Sequence, residues 1–450
     1  MQLIAKYLIA STVLVGFYSC DKYLEKKALK SEFIPNTIED LQALLDNPSV
    51  NKADPALLEI FSDEYYVTSK YWESTTPDLS SNYVWSSNAV PHNNSWNIVY
   101  QQPVYVANIV LDNLSGSSLD QDIRYNEIKG AALFLRSNAF FNLAQIFALP
   151  YTTSNQSSFG VVLRTTSDIN QISKRASLLE TYERILTDLT EAATLLPHSS
   201  SLPTRPSKNA AYAALARVYL TMSDYKNAFK YADLCLKSNF SLLDFNEIIP
   251  GTPIQSFNKE VIFHSAITSA SILSASNAKI DTILLSSYLP NDLRRTVFFR
   301  PNSGQNTGTF AFRGSYNGTE NSSSVFTGTT YAEMLLIRAE CFARNGEIES
   351  AIADINSLLE KRFHKDYWMP IDPASVTDPV ELVLSERQKE LVFRGIRWMD
   401  LRRLNSEGAN ITIRRIINDT EYKLLPNDRR MLALIPFDVI NRSEIVQNVK

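Results

Sequence analysis

Histidine, cysteine and glycine are scarce in this chain, and each scarcity removes a class of explanation. Its 450 residues include four histidines, three cysteines and thirteen glycines. His92, His198, His264 and His364 are far apart, and none stands in a recognisable catalytic motif. Cys20, Cys235 and Cys341 show neither metal-ligand spacing nor a disulfide framework. There is no phosphate-cradling glycine loop, nucleophile elbow, zinc helix motif or calcium loop of the usual form. No cofactor is implied by any of these patterns. An excess of charge of one sign is also missing: 44 basic against 48 acidic residues give a net charge of −4. Recognition of nucleic acid needs a basic stripe to neutralise phosphates, so that partner is set aside. Beyond the first twenty residues no stretch reaches the roughly 20 apolar residues of a membrane helix.

What is present begins with a sorting signal. Met1 to Cys20 reads MQLIAKYLIASTVLVGFYSC. Lys6 supplies the positive start, Tyr7 to Tyr18 an apolar core too short to span a bilayer, and Ser19 a small residue before the cysteine. This order predicts a lipoprotein signal over residues 1–19, with Cys20 lipidated as the new N-terminus. Phe17 and Tyr18 stand where leucine and a small residue are commoner, and the alternative is a plain secretory signal. The polar run that follows, DKYLEKKALKSE, is expected to be a tether. Residues 20–450 are expected to form one domain.

Within that domain two stretches fit one helix-pair template, Tyr212 to Cys235 and Leu335 to Leu358. A large residue opens each (Tyr212, Leu335). A small one follows four residues on (Ala216, Ala339), then an aromatic (Tyr219, Phe342), and the second helix brings Ala228 or Ala351. Small residues let paired helices approach closely. Ser223-Asp224 and Asn345-Gly346 mark the turns, and Gly346 suits a left-handed helix cap. Trp96 to Leu114, Glu127 to Leu149 and Leu178 to Leu196 repeat apolar residues at three- and four-residue spacing, with Pro150 and Pro197 as stops. The fold class expected is mainly α: tetratricopeptide-like helical repeats of about four pairs, an irregular loop-rich face and minor β, including a strand at Val261 to His264.

Near the C-terminus the chain reads Glu386-Arg387-Gln388-Lys389-Glu390-Leu391-Val392-Phe393-Arg394-Gly395-Ile396-Arg397-Trp398-Met399-Asp400-Leu401-Arg402-Arg403. This resembles the pattern E-R-x-x-E-L-x-F-E-G-x-R-W-x-D-L-x-R of SusD/RagB-family lipoproteins, with Arg394 in place of the usual glutamate. Ala132 to Arg136, Asn258 to Phe263, Asp292-Leu293-Arg294, Tyr331-Ala332-Glu333 and Ile435-Pro436 match in family order. The resemblance implies a protein lipid-anchored at the outer membrane and surface-exposed. Its partner would be a TonB-dependent, SusC-like transporter, and its ligand an oligosaccharide or peptide. From spacing alone, Glu386 with Glu390 and Arg397 with Asp400 are expected to take part in ion pairs that fix a helix corner.

Function on such a frame is expected in the loops. Tyr65, Tyr66, Tyr71, Trp72, Tyr83, Trp85 and Trp96 cluster among Ser, Thr and Asn. Aromatic faces stack on sugar C–H faces and on peptide side chains. Trp96 opens a helix and is assigned to the core. Trp72 and Trp85 are the leading ligand-binding candidates, with Tyr71, Tyr83 and Tyr316 behind them. The function expected is non-catalytic ligand capture. A protein–protein scaffold clamping the transporter and a surface hydrolase are the alternatives; glycosidase carboxylates have no fixed sequence spacing to test.

Overall fold

The computed structural model describes residues 35–450 except Asn239, so the expectations for the signal and for Cys20 lie outside the described residues. Ten longer helices carry the fold: α1 (Ile38–Leu45), α2 (Tyr105–Leu114), α3 (Tyr125–Phe147), α4 (Leu178–Leu195), α5 (Lys208–Thr221), α6 (Tyr225–Leu236), α7 (Tyr331–Arg344), α8 (Ile348–Leu359), α9 (Pro379–Glu390) and α10 (Arg397–Ser406). From α2 to α8 each helix packs on the next, and α9 closes the row against α7 and α8. The expected helical repeat is therefore present.

The sequence shows why these helices begin and end where they do. Ser177 accepts from the Glu180 amide while the Glu180 side chain reaches back to the Ser177 amide, a reciprocal cap that starts α4. Asp224 caps α6 through the Asn227 amide. The turn before it puts Ser223 at φ 57°, and the equivalent turn puts Gly346 at φ 80°. Ala216, Ala228, Ala339 and Ala351 are all fully buried, as close helix approach requires. Phe229 meets Phe342 edge-on at 5.0 Å and joins one repeat to the next.

A discontinuity precedes α2. Asn94–Val99 is helical, Tyr100–Val104 is a π-turn, and α2 follows directly. Pro103 lies inside that π-turn. Proline has no amide hydrogen for an α-helical bond, and the wider turn absorbs it without ending the helix.

Strands are short and pair two at a time, all antiparallel. Those used below are β1 (Tyr65–Tyr66), which pairs with Lys279–Ile280, and the hairpin β2 (Ile413–Ile417) and β3 (Thr420–Leu424). The expected strand appears at Val261–Phe263.

Charged residues of the C-terminal motif knit distant segments together. Arg294, fully buried, contacts Asp292 and Glu386 at 2.7 Å and Glu390 at 3.4 Å. Arg362, also fully buried, bridges Glu260 at 2.7 Å and Glu390 at 2.8 Å. Asp400 takes Arg387 at 2.8 Å and Arg403 at 3.2 Å, and Arg397 holds Asp63 at 2.7 Å. The corner is thus fixed by ion pairs, most of them to elements far away in sequence. Arg394, the departure from the family glutamate, lies over the Tyr316 ring at 3.9 Å.

Candidate functional site

Five aromatic residues were candidates for ligand contact, and the fold separates them. Trp85 is fully buried, and its indole Nε1 donates to the Phe61 carbonyl at 3.3 Å. Tyr83 is 1 % exposed, and its hydroxyl accepts from the Val67 amide at 3.0 Å. Arg415, on β2, is the reason both are hidden. Its guanidinium stands 3.8 Å from the Tyr83 ring, 4.8 Å from Tyr65 and 5.0 Å from Trp85, while its N–H groups donate to the carbonyls of Ile60, Ser62 and Tyr65. Tyr316 is also fully buried, its hydroxyl donating to Glu260 at 3.3 Å. Trp85, Tyr83 and Tyr316 are therefore core side chains, and their assignment to ligand contact is corrected here. Trp96 is core as expected, edge-on to Phe147 at 4.9 Å.

Trp72 and Tyr71 are placed differently. Both are half-buried and sit on a short helix, Ser69–Ser74, started by the Thr68 side chain accepting from the Tyr71 amide. Trp72 Nε1 donates to the Ser80 carbonyl at 2.9 Å, and the Tyr71 hydroxyl is 3.0 Å from Ser271 Oγ. Their polar ends are tied to the protein, which leaves ring surface for contact. The hairpin tip fixes the same helix: the Asn418 amide donates to Ser69 Oγ at 3.0 Å and its side-chain amide to Glu73. Tyr422 on β3, also half-buried, completes the shelf with its ring 6.3 Å from Trp72 at 41°. Two inclined rings edged by exposed Lys70, Glu73 and Ser74 suit stacking against a hydroxyl-bearing or amide-bearing ligand. Tyr422 and Arg415 were missed in the sequence reading. The Asn418-Asp419 pair between two alternating segments was the available signal for the hairpin.

A second concavity, of about 520 Å³, lies beside the π-turn. Trp96, Tyr100, Val104 and Tyr105 line it with Val162, Val439 and Ile445. Among the described residues no group of three or more His, Cys, Asp or Glu side chains is placed to hold a metal ion.

The row of packed helix pairs with an irregular face defines the class: a tetratricopeptide-like helical-repeat protein. Comparison with known proteins gives the family. A family model described as "Starch-binding associating with outer membrane" matches residues 22–220, and the SusD family model matches residues 299–433. SusD-like protein P2 of Formosa agariphila is 24% identical over 357 residues, 66% of this chain and 69% of that protein. Among solved structures, a SusD superfamily protein from Bacteroides thetaiotaomicron superposes with a TM-score of 0.77 at 21% identity, covering 92% of this chain and 100% of the other. A putative sugar binding protein from Bacteroides vulgatus gives 0.74 at 23%, covering 93% and 99%. The chain belongs to the SusD/RagB family.

That membership explains the spaced matches. Arg136 pairs with Asp188 at 2.9 Å, Glu260 with Arg362, Asp292 with Arg294, and Glu333 with Arg217 at 2.7 Å. Four of the matching segments thus supply charged members of buried ion pairs, the Asp292-Leu293-Arg294 triplet both members of one, and these pairs hold the scaffold together. No described helix is long and apolar enough to cross a membrane.

Proposed function

We propose that this chain is a non-catalytic surface lipoprotein that captures an oligosaccharide or peptide nutrient on the Tyr71–Trp72–Tyr422 shelf and delivers it to a TonB-dependent outer-membrane transporter. The observation that carries the ligand site is the shelf: rings from two distant segments, with the Tyr71 and Trp72 polar tips already bonded and ring surface left over. The family supports a nutrient-binding role at the outer membrane, and the family description "Starch-binding associating with outer membrane" together with the solved neighbour described as a putative sugar binding protein favours a glycan over a peptide. The lipoprotein-type order of residues 1–20, ending in Cys20, supports that location. The charged clusters are engaged in scaffold ion pairs, which argues against their use as acid–base catalysts.

Calorimetric titration of the purified protein against glycan and peptide panels tests this reading, with product analysis of each mixture. A ligand bound and recovered intact is the expected result. Turnover would assign the hydrolase alternative, and no binding across both panels, with a barrel protein still co-purifying from native membranes, would assign the scaffold alternative.

A further inference from the structure

The concavity beside the π-turn differs from the shelf in its chemistry. Its volume of about 520 Å³ falls within the roughly 300–1,000 Å³ of small-molecule pockets. Most of its wall is apolar: Trp96, Val104, Val162 and Ile445 are buried there, and Tyr105 stands at the mouth, 42 % exposed. The π-turn itself supplies Tyr100, Gln101 and Val104 to the lining, and single π-turns inside helices recur at functional sites.

Gln101, Asn108, Arg164, Thr166 and Ser173 bring polar groups into that wall. Asn108 is saturated: its amide donates to the Arg164 and Thr166 carbonyls at 2.8 and 3.1 Å, and its oxygen accepts from Arg136 at 3.0 Å. The Tyr100 hydroxyl donates to the Val162 carbonyl at 2.9 Å and accepts from the Val162 amide at 3.2 Å. Thr166 Oγ1 has a long bond to Gln171 Oε1, 3.4 Å, and Gln101 is exposed. Ser173 Oγ accepts from Arg164 at 2.8 Å, so its own hydrogen is left to give.

Arg164 is the decisive group. Arg136, Arg217, Arg294 and Arg362 hold carboxylates. Arg164 instead spends its bonds on uncharged groups: Nη1 on the Gln171 carbonyl at 3.1 Å and on Ser173, Nη2 on the Asp168 carbonyl at 2.6 Å. These bonds tether the loop of residues 168–173 and leave the Nε hydrogen and the charge to an occupant. The lining contains no Asp or Glu. Asp112, one turn past Asn108, is taken by the Ser167 amide and hydroxyl at 2.7 Å and lies outside the lining. Arg175 is a second cation near this end, bonded to the Gly160, Phe147 and Val446 carbonyls and to the Asn448 side chain. Burial raises the Tyr100 hydroxyl above its ordinary pKa, while its bond to Val162 and the charges of Arg175 and Arg164 act against that rise. One end of an apolar groove is therefore positive. A neutral sugar leaves the charge unanswered, and a purely apolar ligand buries it without a partner. An aromatic ring carrying one carboxylate satisfies both ends.

We propose that the groove beside the π-turn is a second binding site, for a small aromatic carboxylate whose acid group is held by Arg164 and Ser173 and whose ring lies against Tyr105, Val104 and Ile445. The site is separate from the shelf and does not depend on what the shelf binds.

The probes are 3-phenylpropionate and its uncharged amide, 3-phenylpropionamide, titrated calorimetrically into the purified protein. The acid is expected to bind at least about tenfold more tightly than the amide, because hydrogen bonds between ionised groups are the stronger ones. No binding of the acid at millimolar concentration, or equal affinity for the two, overturns the proposal. Arg164→Met is expected to abolish the preference for the acid, and a preserved preference overturns the proposal. That variant also frees the loop of residues 168–173, so Tyr105→Ala, at the exposed mouth, serves as the second test. It keeps every bond of Arg164 and is expected to weaken the acid about fivefold; unchanged affinity overturns the proposal. Hydrogen exchange locates the probe without substitution: bound acid is expected to slow the amides of residues 104–108 about fivefold. Slowing at residues 69–74 instead would give the compound to the shelf and overturn the proposal. Glycan capture at the shelf is read in its own titrations and stands or falls separately.

Discussion

The repeat stack and the loop region from Tyr65 to Trp96 are both rich in aromatic rings, yet they pack those rings for different reasons. In the stack, Tyr219 lies parallel to Tyr231 at 5.6 Å and Phe229 meets Phe342 at 5.0 Å, all within two repeats of a regular helix pattern. All four are half-buried, and each ring's packing follows from its place on a helix face. In the loop region, Trp85 and Tyr83 are covered by Arg415, more than 300 residues later in the chain. Trp72, thirteen positions before Trp85, stays half-buried: the same hairpin meets its ring through Tyr422, while Asn418 holds its helix at Ser69 and Glu73. Neighbouring tryptophans of similar local sequence thus end in opposite environments. Local periodicity governs one region and a single long-range hairpin governs the other.

The largest effect is expected from cutting the buried ion pairs that tie the end of the stack to the irregular face. Arg362→Met leaves Glu260 and Glu390 in the core without their shared cation, and removing one partner of a buried pair costs about 3–5 kcal/mol. Urea unfolding is expected to show that loss, and a loss under 1 kcal/mol would mean that solvent reaches the network. Trp85→Ala comes next. A buried tryptophan truncated to alanine costs about 3–5 kcal/mol, read as an early thermal transition. An unchanged transition would show that Arg415 and the hairpin do not lock it.

Acid should act on the joints before it acts on the repeats. Burial pushes the Asp400 carboxyl up, but the adjacent Arg387 and Arg403 outweigh it and hold the group below its ordinary value. Glu386 is likewise lowered, with Arg294 and Lys389 overcoming its burial. For such groups the unfolded chain takes up protons first as pH falls, so the stability they give is full above about pH 4–5 and lost below it. Glu64 runs the other way: burial, then the neighbouring Glu59, raise it, so its contribution is present at low pH and lost as pH rises through its folded value. Melting temperature is therefore expected to fall from pH 6 to pH 3.5, less steeply in Asp400→Asn. An equal slope in that variant would place the acid sensitivity elsewhere.

Trp72→Ala sharpens the contrast with Trp85. Loss of an aromatic anchor is expected to weaken ligand binding by about 2 kcal/mol while the melting temperature changes far less than in Trp85→Ala. Full binding together with an early melt would return Trp72 to the core. The smallest effect belongs to the stack. Ser223 sits at φ 57°, where a side chain is strained, so Ser223→Gly should stabilise the protein by about 0.5 kcal/mol. A destabilised variant would mean that Ser223 Oγ, which donates to Glu407 at 2.5 Å, matters more than the strain.

The sequence by itself determined the repeats. Alanine and aromatic positions at helical spacing, Pro150 and Pro197 as stops, and Gly346 at a left-handed cap are local signals, because a helix makes its hydrogen bonds within a few residues and shows its pattern there. The charged motif was also legible as structural, although spacing along α9 and α10 gave no hint that the partners would be Asp63, Arg294, Glu340 and Arg362. Only the tertiary structure decided which loop aromatics face outward. That choice rests on a hairpin, Ile413 to Leu424, whose Arg415 and Tyr422 reach back across the molecule. The stacking of a guanidinium on a ring leaves no period in the sequence, so Trp72 and Trp85 are separated only by what folds against them.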